Sequence, residues 1–250
     1  MPAVSVDGVH SSRPLLPSSS ITGPVVNFFG AESLNKFWKH SDVHLGPINA
    51  ETFKANIDTM FGNYDWEINF AQMNMIDSHD MPRALWLVYN DKAAHRLIVL
   101  CQMTMPGAPC VYYGDEVGLS AGSDPYCREA FPWDKPDGWD NPLREFYRDV
   151  IALRNSHPAL RTGDFGFIHA EGKVIAYCRR LGNEEIFVAF NAGKTVQTVN
   201  LSAQELGHST YSVAWPLGNG SSSKVRNDAG LTIEIPPQSA VILIAGEKSK

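Results

Sequence analysis

The segment that most restricts the fold runs from residue 68 to residue 116, where an apolar stretch, Ile68 to Ile76, breaks abruptly into Asp77-Ser78-His79-Asp80 and then Arg83, polar groups placed as if to meet a ligand. Lys92 to Met105 follows, with Ala93, Leu97, Leu100, Cys101 and Thr104 on one side and Ala94, Ile98 and Met105 on another, a pattern that predicts a helix buried around most of its circumference. Pro106-Gly107-Ala108-Pro109 ends that helix, and Cys110-Val111-Tyr112-Tyr113 reads as a second buried strand stopping at Gly114-Asp115-Glu116. A strand–helix–strand order admits few topologies. The crossover is right-handed and the strands parallel, so both polar ends, His79-Asp80 and Asp115-Glu116, open on one side of the sheet. In a barrel that side meets the ligand. A local alternative stands beside this one, in which Ser78-His79-Asp80 begins a helix and Asp80 caps its first turn.

Helices flank this unit. Val25-Val26-Asn27-Phe28-Phe29-Gly30 with Leu34, Phe37 and Trp38 predicts a short helix with an aromatic face. Asn49 to Phe61 predicts another, carrying Phe53, Ile57, Met60 and Phe61 at three-to-four spacing. Pro142 to Asn155 is amphipathic, with Pro at its start. After His157-Pro158 the period changes, and short strands are expected over 165–168, 174–177, 186–190, 195–201, 211–215, 231–235 and 240–244, with Ser221-Ser222-Ser223 at a hairpin tip. The fold class is α/β followed by all-β: a parallel strand–helix part, then an antiparallel β-sandwich. Residues 1–23, mixing Ser, Pro and Gly without periodicity, read as a loose leader; 24–162 form the first domain and 163–250 the sandwich.

A chain of 250 residues with 44% hydrophobic and 19% charged residues is globular and large enough for two domains. Its net charge of −6, with no cluster of Lys and Arg, excludes nucleic acid as a partner. No run reaches the roughly 18 to 20 apolar residues of a membrane span, nor does the leader hold a signal-peptide core, so a cytoplasmic protein without a membrane partner is expected. Cys101, Cys110, Cys127 and Cys178 form no C-x-x-C pair; Cys101 and Cys110 fall in apolar runs and should be reduced and buried, and neither a metal nor a cofactor is expected. The long loop from Gly118 to Pro142 gathers Asp124, Arg128, Trp133, Asp134, Asp137, Trp139 and Asp140. Tryptophans beside carboxylates suit sugars, whose ring faces stack on indole while their hydroxyls need polar partners. The alternative is an acidic solvated loop with Trp133 packed as a lid on the core.

In order along the chain, these motifs resemble the C-terminal part of an α-amylase superfamily glycoside hydrolase, of the neopullulanase, cyclomaltodextrinase and maltogenic amylase branch. Asn74-Met75-Ile76-Asp77-Ser78-His79-Asp80 is similar to that family's strand-seven motif, and Pro106-Gly107-Ala108-Pro109-Cys110-Val111-Tyr112-Tyr113-Gly114-Asp115-Glu116 to its strand-eight motif. Gly122-Ser123-Asp124-Pro125-Tyr126-Cys127-Arg128-Glu129, the helix ending at His157-Pro158-Ala159-Leu160 and the sandwich add to the resemblance. It implies the last strands and helices of a (β/α)₈ TIM barrel followed by the sandwich. It also implies retaining hydrolysis of α-1,4-glucosidic bonds in maltooligosaccharides, cyclodextrins or pullulan, with an α-glucan oligosaccharide as partner. For Asp80 it implies the third acid, which holds sugar hydroxyls and stabilises the transition state; for His79, a hydrogen bond to the same sugar; for Asp124 and Arg128, the pair holding the next glucose.

The resemblance also marks what these residues lack. Retention requires a carboxylate nucleophile and a carboxylic acid about 5 Å apart. In the family the nucleophile sits in a Gly-x-Arg-x-Asp motif after strand four and the acid is a Glu after strand five; neither precedes His79. The one Arg-x-Asp, Arg226-Asn227-Asp228, falls in the sandwich with Lys224 where the Gly belongs. The expectation is a fragment, inactive alone, whose open sheet edges call for self-association or for the missing barrel portion. A non-catalytic glucan-binding or accessory module, and a structural remnant without a ligand, are the other two readings.

Overall fold

The computed structural model describes residues 21–38, 45–208, 210–217 and 230–246. Most of the expected leader, the Ser221-Ser222-Ser223 tip and Arg226-Asn227-Asp228 lie outside the described residues. Helix α1 (Thr22–Gly30) is buried along its whole length and begins inside the stretch assigned to the leader, with Ile21 already covered. Helix α2 (Ala50–Gly62) starts at Asn49, whose side-chain oxygen accepts from the Thr52 amide at 2.9 Å, and turns Phe53, Ile57, Met60 and Phe61 inward. Phe37, expected on an aromatic face, is exposed instead.

The strand expected over 68–76 is helical over its first four residues and strand over only two. Helix α3 (Trp66–Ala71) takes its first half, because the Asn69 amide donates to the Phe61 and Tyr64 carbonyls and ties this turn to the end of α2. Only Met73–Asn74 remain as strand β1, paired in parallel with β2 (Ala108–Pro109). The second strand thus precedes Cys110-Val111-Tyr112-Tyr113; the Cys110 amide makes a last bond to Asn74 O at 2.9 Å before the chain leaves the ladder. Between the strands lie α4 (Ala84–Leu87) and α5 (Lys92–Thr104), so the crossover order holds. Asp91 caps α5 by accepting from the Ala93 and Ala94 amides. Buried in α5, Gln102 donates to both Asn74 O and Cys110 O at 2.9 Å, stapling the helix to the two strands it connects. Gly107 adopts φ +118°, and a Cβ there would meet the Asn74 amide group, so this close approach requires glycine.

Helices α6 (Asn141–Ser156) and α7 (Pro158–Thr162) lead into β3 (Asp164–Glu171), β4 (Val174–Leu181), β5 (Glu184–Asn191), β6 (Gln197–Ser202), β7 (Tyr211–Leu217), β8 (Gly230–Ile235) and β9 (Ser239–Ala245). The antiparallel sheet has the order β3-β4-β5-β9-β7, and β6 pairs with β8 apart from it. Strands β4, β5 and β9 carry continuous apolar runs, Val174–Cys178, Ile186–Phe190 and Ala240–Ala245, because both faces are covered. Val174, Ala176, Phe187, Ala189, Val241 and Leu243 meet β6 and β8, whereas Ile175, Tyr177, Ile186, Val188, Phe190 and Ile242 meet the helices. The second contact is extensive: Phe29 packs at a tilt against Phe190 at 5.1 Å, Phe53 edge-on against Phe167 at 6.1 Å, and Thr104 and Tyr177 share a hydrogen bond at 2.6 Å.

Two buried arginines close this seam. Arg154 donates from Nη1 to Met103 O, Met105 O and Leu160 O and from Nη2 to Gly107 O; Arg179 donates to Thr104 O, Leu160 O, Gly163 O and Asp164 O. These carbonyls lie at or just beyond the C-terminal ends of α5 and α7, where main-chain oxygens lack helical partners and the helix dipole is negative. Burial lowers both guanidinium pKa values to about 10.

Candidate functional site

Beyond β1 the chain makes a short excursion that carries His79 and Asp80 to the surface. His79 Nε2 lies 3.1 Å from Asp80 Oδ2, and Arg128 Nη2 lies 3.3 Å from Asp80 Oδ1. Arg128 Nε donates to His79 O at 2.9 Å and lies 3.0 Å from Asp124 Oδ1. One guanidinium therefore brings together all four residues singled out from sequence: Asp80, His79, Asp124 and Arg128. Their side chains are between 47% and 68% exposed. Ion pairs this open contribute about 0 to 1 kcal/mol, so a ligand can replace them at little cost. Two carboxylates with four acceptor sites each, beside a forked donor and an imidazole, match the alternating donor and acceptor needs of vicinal hydroxyls.

Asp80 is not a helix cap. That role falls to Asp77, whose Oδ2 accepts from the Ala84 amide at 2.6 Å at the start of α4. Nor does Asp115 face the opening, as expected of a polar strand end. It is 2% exposed and turned inward, with Oδ1 accepting from Arg83 Nη1 at 2.9 Å. Arg83, wholly buried, also donates to Tyr113 O at 2.7 Å and lies over the rings of Tyr112 and Tyr113 at 4.5 and 5.0 Å. Burial raises the pKa of both Asp77 and Asp115, that of Asp115 well above the ordinary aspartate value. Glu116 folds back to accept from the Gly114 amide. Arg83, expected from the sequence to be presented to a ligand together with His79 and Asp80, is turned inward instead; the signal for its burial was an otherwise apolar Met81-Pro82-Arg83-Ala84-Leu85.

The loop from 118 to 140 borders the excursion. Trp133 is 75% exposed, which removes the reading of it as a lid on the core; it packs against Phe131 at 4.3 Å and Trp139 at 6.1 Å. Asp140 belongs to the scaffold, capping α6 through Leu143 N and pairing with Lys92 at 2.7 Å. Cys127 is buried and donates to His79 O at 3.3 Å, so His79 O is held by both Cys127 and Arg128. Cys110 is half-buried rather than buried, because the chain is already leaving the sheet there; all four cysteines are free. Among the described residues, no group of three or more His, Cys, Asp or Glu side chains could hold a metal ion, and no helix is long and apolar enough to cross a membrane.

Residues 25–148 match the family model described as "Alpha amylase, catalytic domain", and residues 167–246 the one described as "Alpha amylase, C-terminal all-beta domain". A cyclomaltodextrinase of Bacillus sp is 41% identical over 153 residues, covering 60% of this chain and 27% of that protein. Neopullulanase 2 of Thermoactinomyces vulgaris is 32% identical over 189 residues, covering 75% of this chain and 31% of its own length. Among solved structures, the native form of the Nostoc punctiforme debranching enzyme superposes with a TM-score of 0.81 at 31% identity, covering 91% of this chain and 47% of that one. The chain thus spans less than a third of the length of these relatives and less than half of that structure. With catalytic and all-β models matched in sequence order over both of its parts, the chain belongs to the α-amylase family.

Proposed function

We propose that the Asp80, His79, Asp124 and Arg128 cluster holds glucose units of an α-glucan, as part of a retaining glycoside hydrolase acting on maltooligosaccharides, cyclodextrins or pullulan. The observation that carries this reading is Arg128, which spans Asp80, Asp124 and His79 O with one planar fork. The names of the cyclomaltodextrinase and neopullulanase relatives support the substrate class. Asp80 is the transition-state stabiliser, placed to take up hydroxyls of the ring whose bond breaks; Asp124 and Arg128 hold its neighbour. Within this reading 24–162 is the barrel segment and 163–250 the sandwich.

The 250 residues supply no Gly-x-Arg-x-Asp nucleophile ahead of His79, and without nucleophile and acid no covalent glycosyl intermediate forms. The chain alone is therefore a binder. Calorimetric titration with maltotriose is expected to give binding that weakens at least about tenfold in both Asp80→Ala and Arg128→Ala, with no turnover of maltotriose or β-cyclodextrin. Turnover abolished by Asp80→Ala, or unchanged binding in both variants, contradicts the proposal. Among the described residues β1 and β2 pair only with each other, and Ile68, Met73 and Tyr113 beside them are exposed. Self-association, or docking onto further barrel strands, covers these edges; a monodisperse monomer in light scattering contradicts both.

A further inference from the structure

The excursion that carries His79 and Asp80 is held at both of its feet by one buried cluster. Its first foot, Asp77, is 2% exposed and accepts from the Ala84 amide with Oδ2; its last, Arg83, is fully buried and bonds Asp115 Oδ1, Tyr113 O and, through its own amide donating, Ala121 O. Asp77 Oδ1 and Asp115 Oδ2 are both buried with no hydrogen-bond partner among the described residues, one orphaned oxygen on each carboxyl beside the same guanidinium. Two bare carboxylates cannot satisfy each other, since neither has a donor; one added proton supplies it. The charge balance points the same way: two buried carboxylates face one buried guanidinium, and burying the surplus negative charge is expensive unless a proton removes it.

We propose that Asp77 and Asp115 share a single proton and, with Arg83 as counter-ion, act as positioning residues that lock the His79–Asp80 excursion against the chain leaving β2. Tyr147 from α6, with Tyr112, Tyr113 and Glu116 from the segment after β2, also face this cluster, and none of them is a cation. The raised pKa directions of both aspartates accord with a pair that titrates as one unit. The shared proton makes one carboxyl a donor to the other and leaves the pair a single negative charge facing Arg83. The effect on sugar binding rests on the function proposed above; the proton and the locked excursion do not.

The test uses the full chain, carbon-13 labelled at aspartate carboxyls. One carboxyl resonance is expected to remain in the protonated position at neutral pH and to vanish in both Asp77→Asn and Asp115→Asn; ionisation of every aspartate at neutral pH overturns the proposal. An asparagine amide can supply the missing donor, so each single Asn variant is expected to keep the amide protection of Asp80 and Met81, whose N–H groups bond back to Ser78. Asp77→Ala and Asp115→Ala lose that protection by about tenfold or more. Equal exchange in the Asn and Ala variants overturns the positioning role. Maltotriose affinity should follow the same split. If the parent chain binds no maltotriose, the function proposed above fails while resonance and exchange still decide the lock.

Discussion

His95 sits in α5 at 1% exposure, with Nε2 3.3 Å from the Tyr147 hydroxyl and no hydrogen-bond partner at Nδ1. Burial lowers its pKa from 6.5 to about 4, so the folded chain keeps a neutral ring where the unfolded chain takes up a proton. The stabilising contribution is fully present above the unfolded value and is lost as pH falls from 6.5 towards 4. Urea unfolding is expected to show about 2 kcal/mol less stability at roughly pH 5 than at roughly pH 7 from this group, and His95→Phe to remove that difference. An unchanged slope in the variant contradicts it. The aspartate pair has the opposite sign: its contribution is present below the ordinary aspartate range and declines as pH rises through the raised folded value. The four residues that Arg128 brings together were singled out in the sequence by their motifs, His79-Asp80 after an apolar run and Asp124 to Arg128 in a long charged loop, and by the family those motifs resemble. The Arg83 cluster was not, because its burial depends on Asp115, 32 positions away.

At the scale of elements, legibility followed the number of repeats in the pattern. The strands from β3 to β9 show apolar stretches bounded by turn residues, and α2, α5 and α6 span three or more turns, so each was readable alone. Strands β1 and β2 have two residues each, too few for any period, and Ile68 and Phe70 lent a strand-like look to what is the helix α3. What joins these elements is carbonyl capture by Arg154, which no periodicity signals. Arg154→Met leaves the oxygens of Met103, Met105 and Gly107 without their buried donor. The expected cost is about 3 kcal/mol or more in chemical denaturation, far above that of an exposed arginine. Arg154→Lys recovers little, because one ammonium cannot reach four carbonyls held by a planar fork.

Across the whole molecule, one apolar core runs from Phe29 and Phe53 through Leu97 and Leu100 to Tyr177, Val188 and Phe190, while the space between the two sheets forms a second core. The all-β part therefore does not stand apart from the helical part that precedes it; its five-stranded sheet, lying between β6–β8 and the helices, walls that part. A chain ended at residue 162 is expected to lose cooperative thermal unfolding, since Phe29, Phe53 and Leu160 lose their covering side chains. A sharp melting transition in that truncation contradicts the shared wall. Phe190→Ala in the full chain should cost about 3 to 5 kcal/mol, as large buried aromatics do. The wall has a consequence for how such genes can change. A recombination breakpoint near Gly163, where an exchange of modules would look simplest on a sequence diagram, separates surfaces fitted to each other. The two halves must then be inherited together, and a new partner for either has to reproduce the interlocking aromatic faces of both.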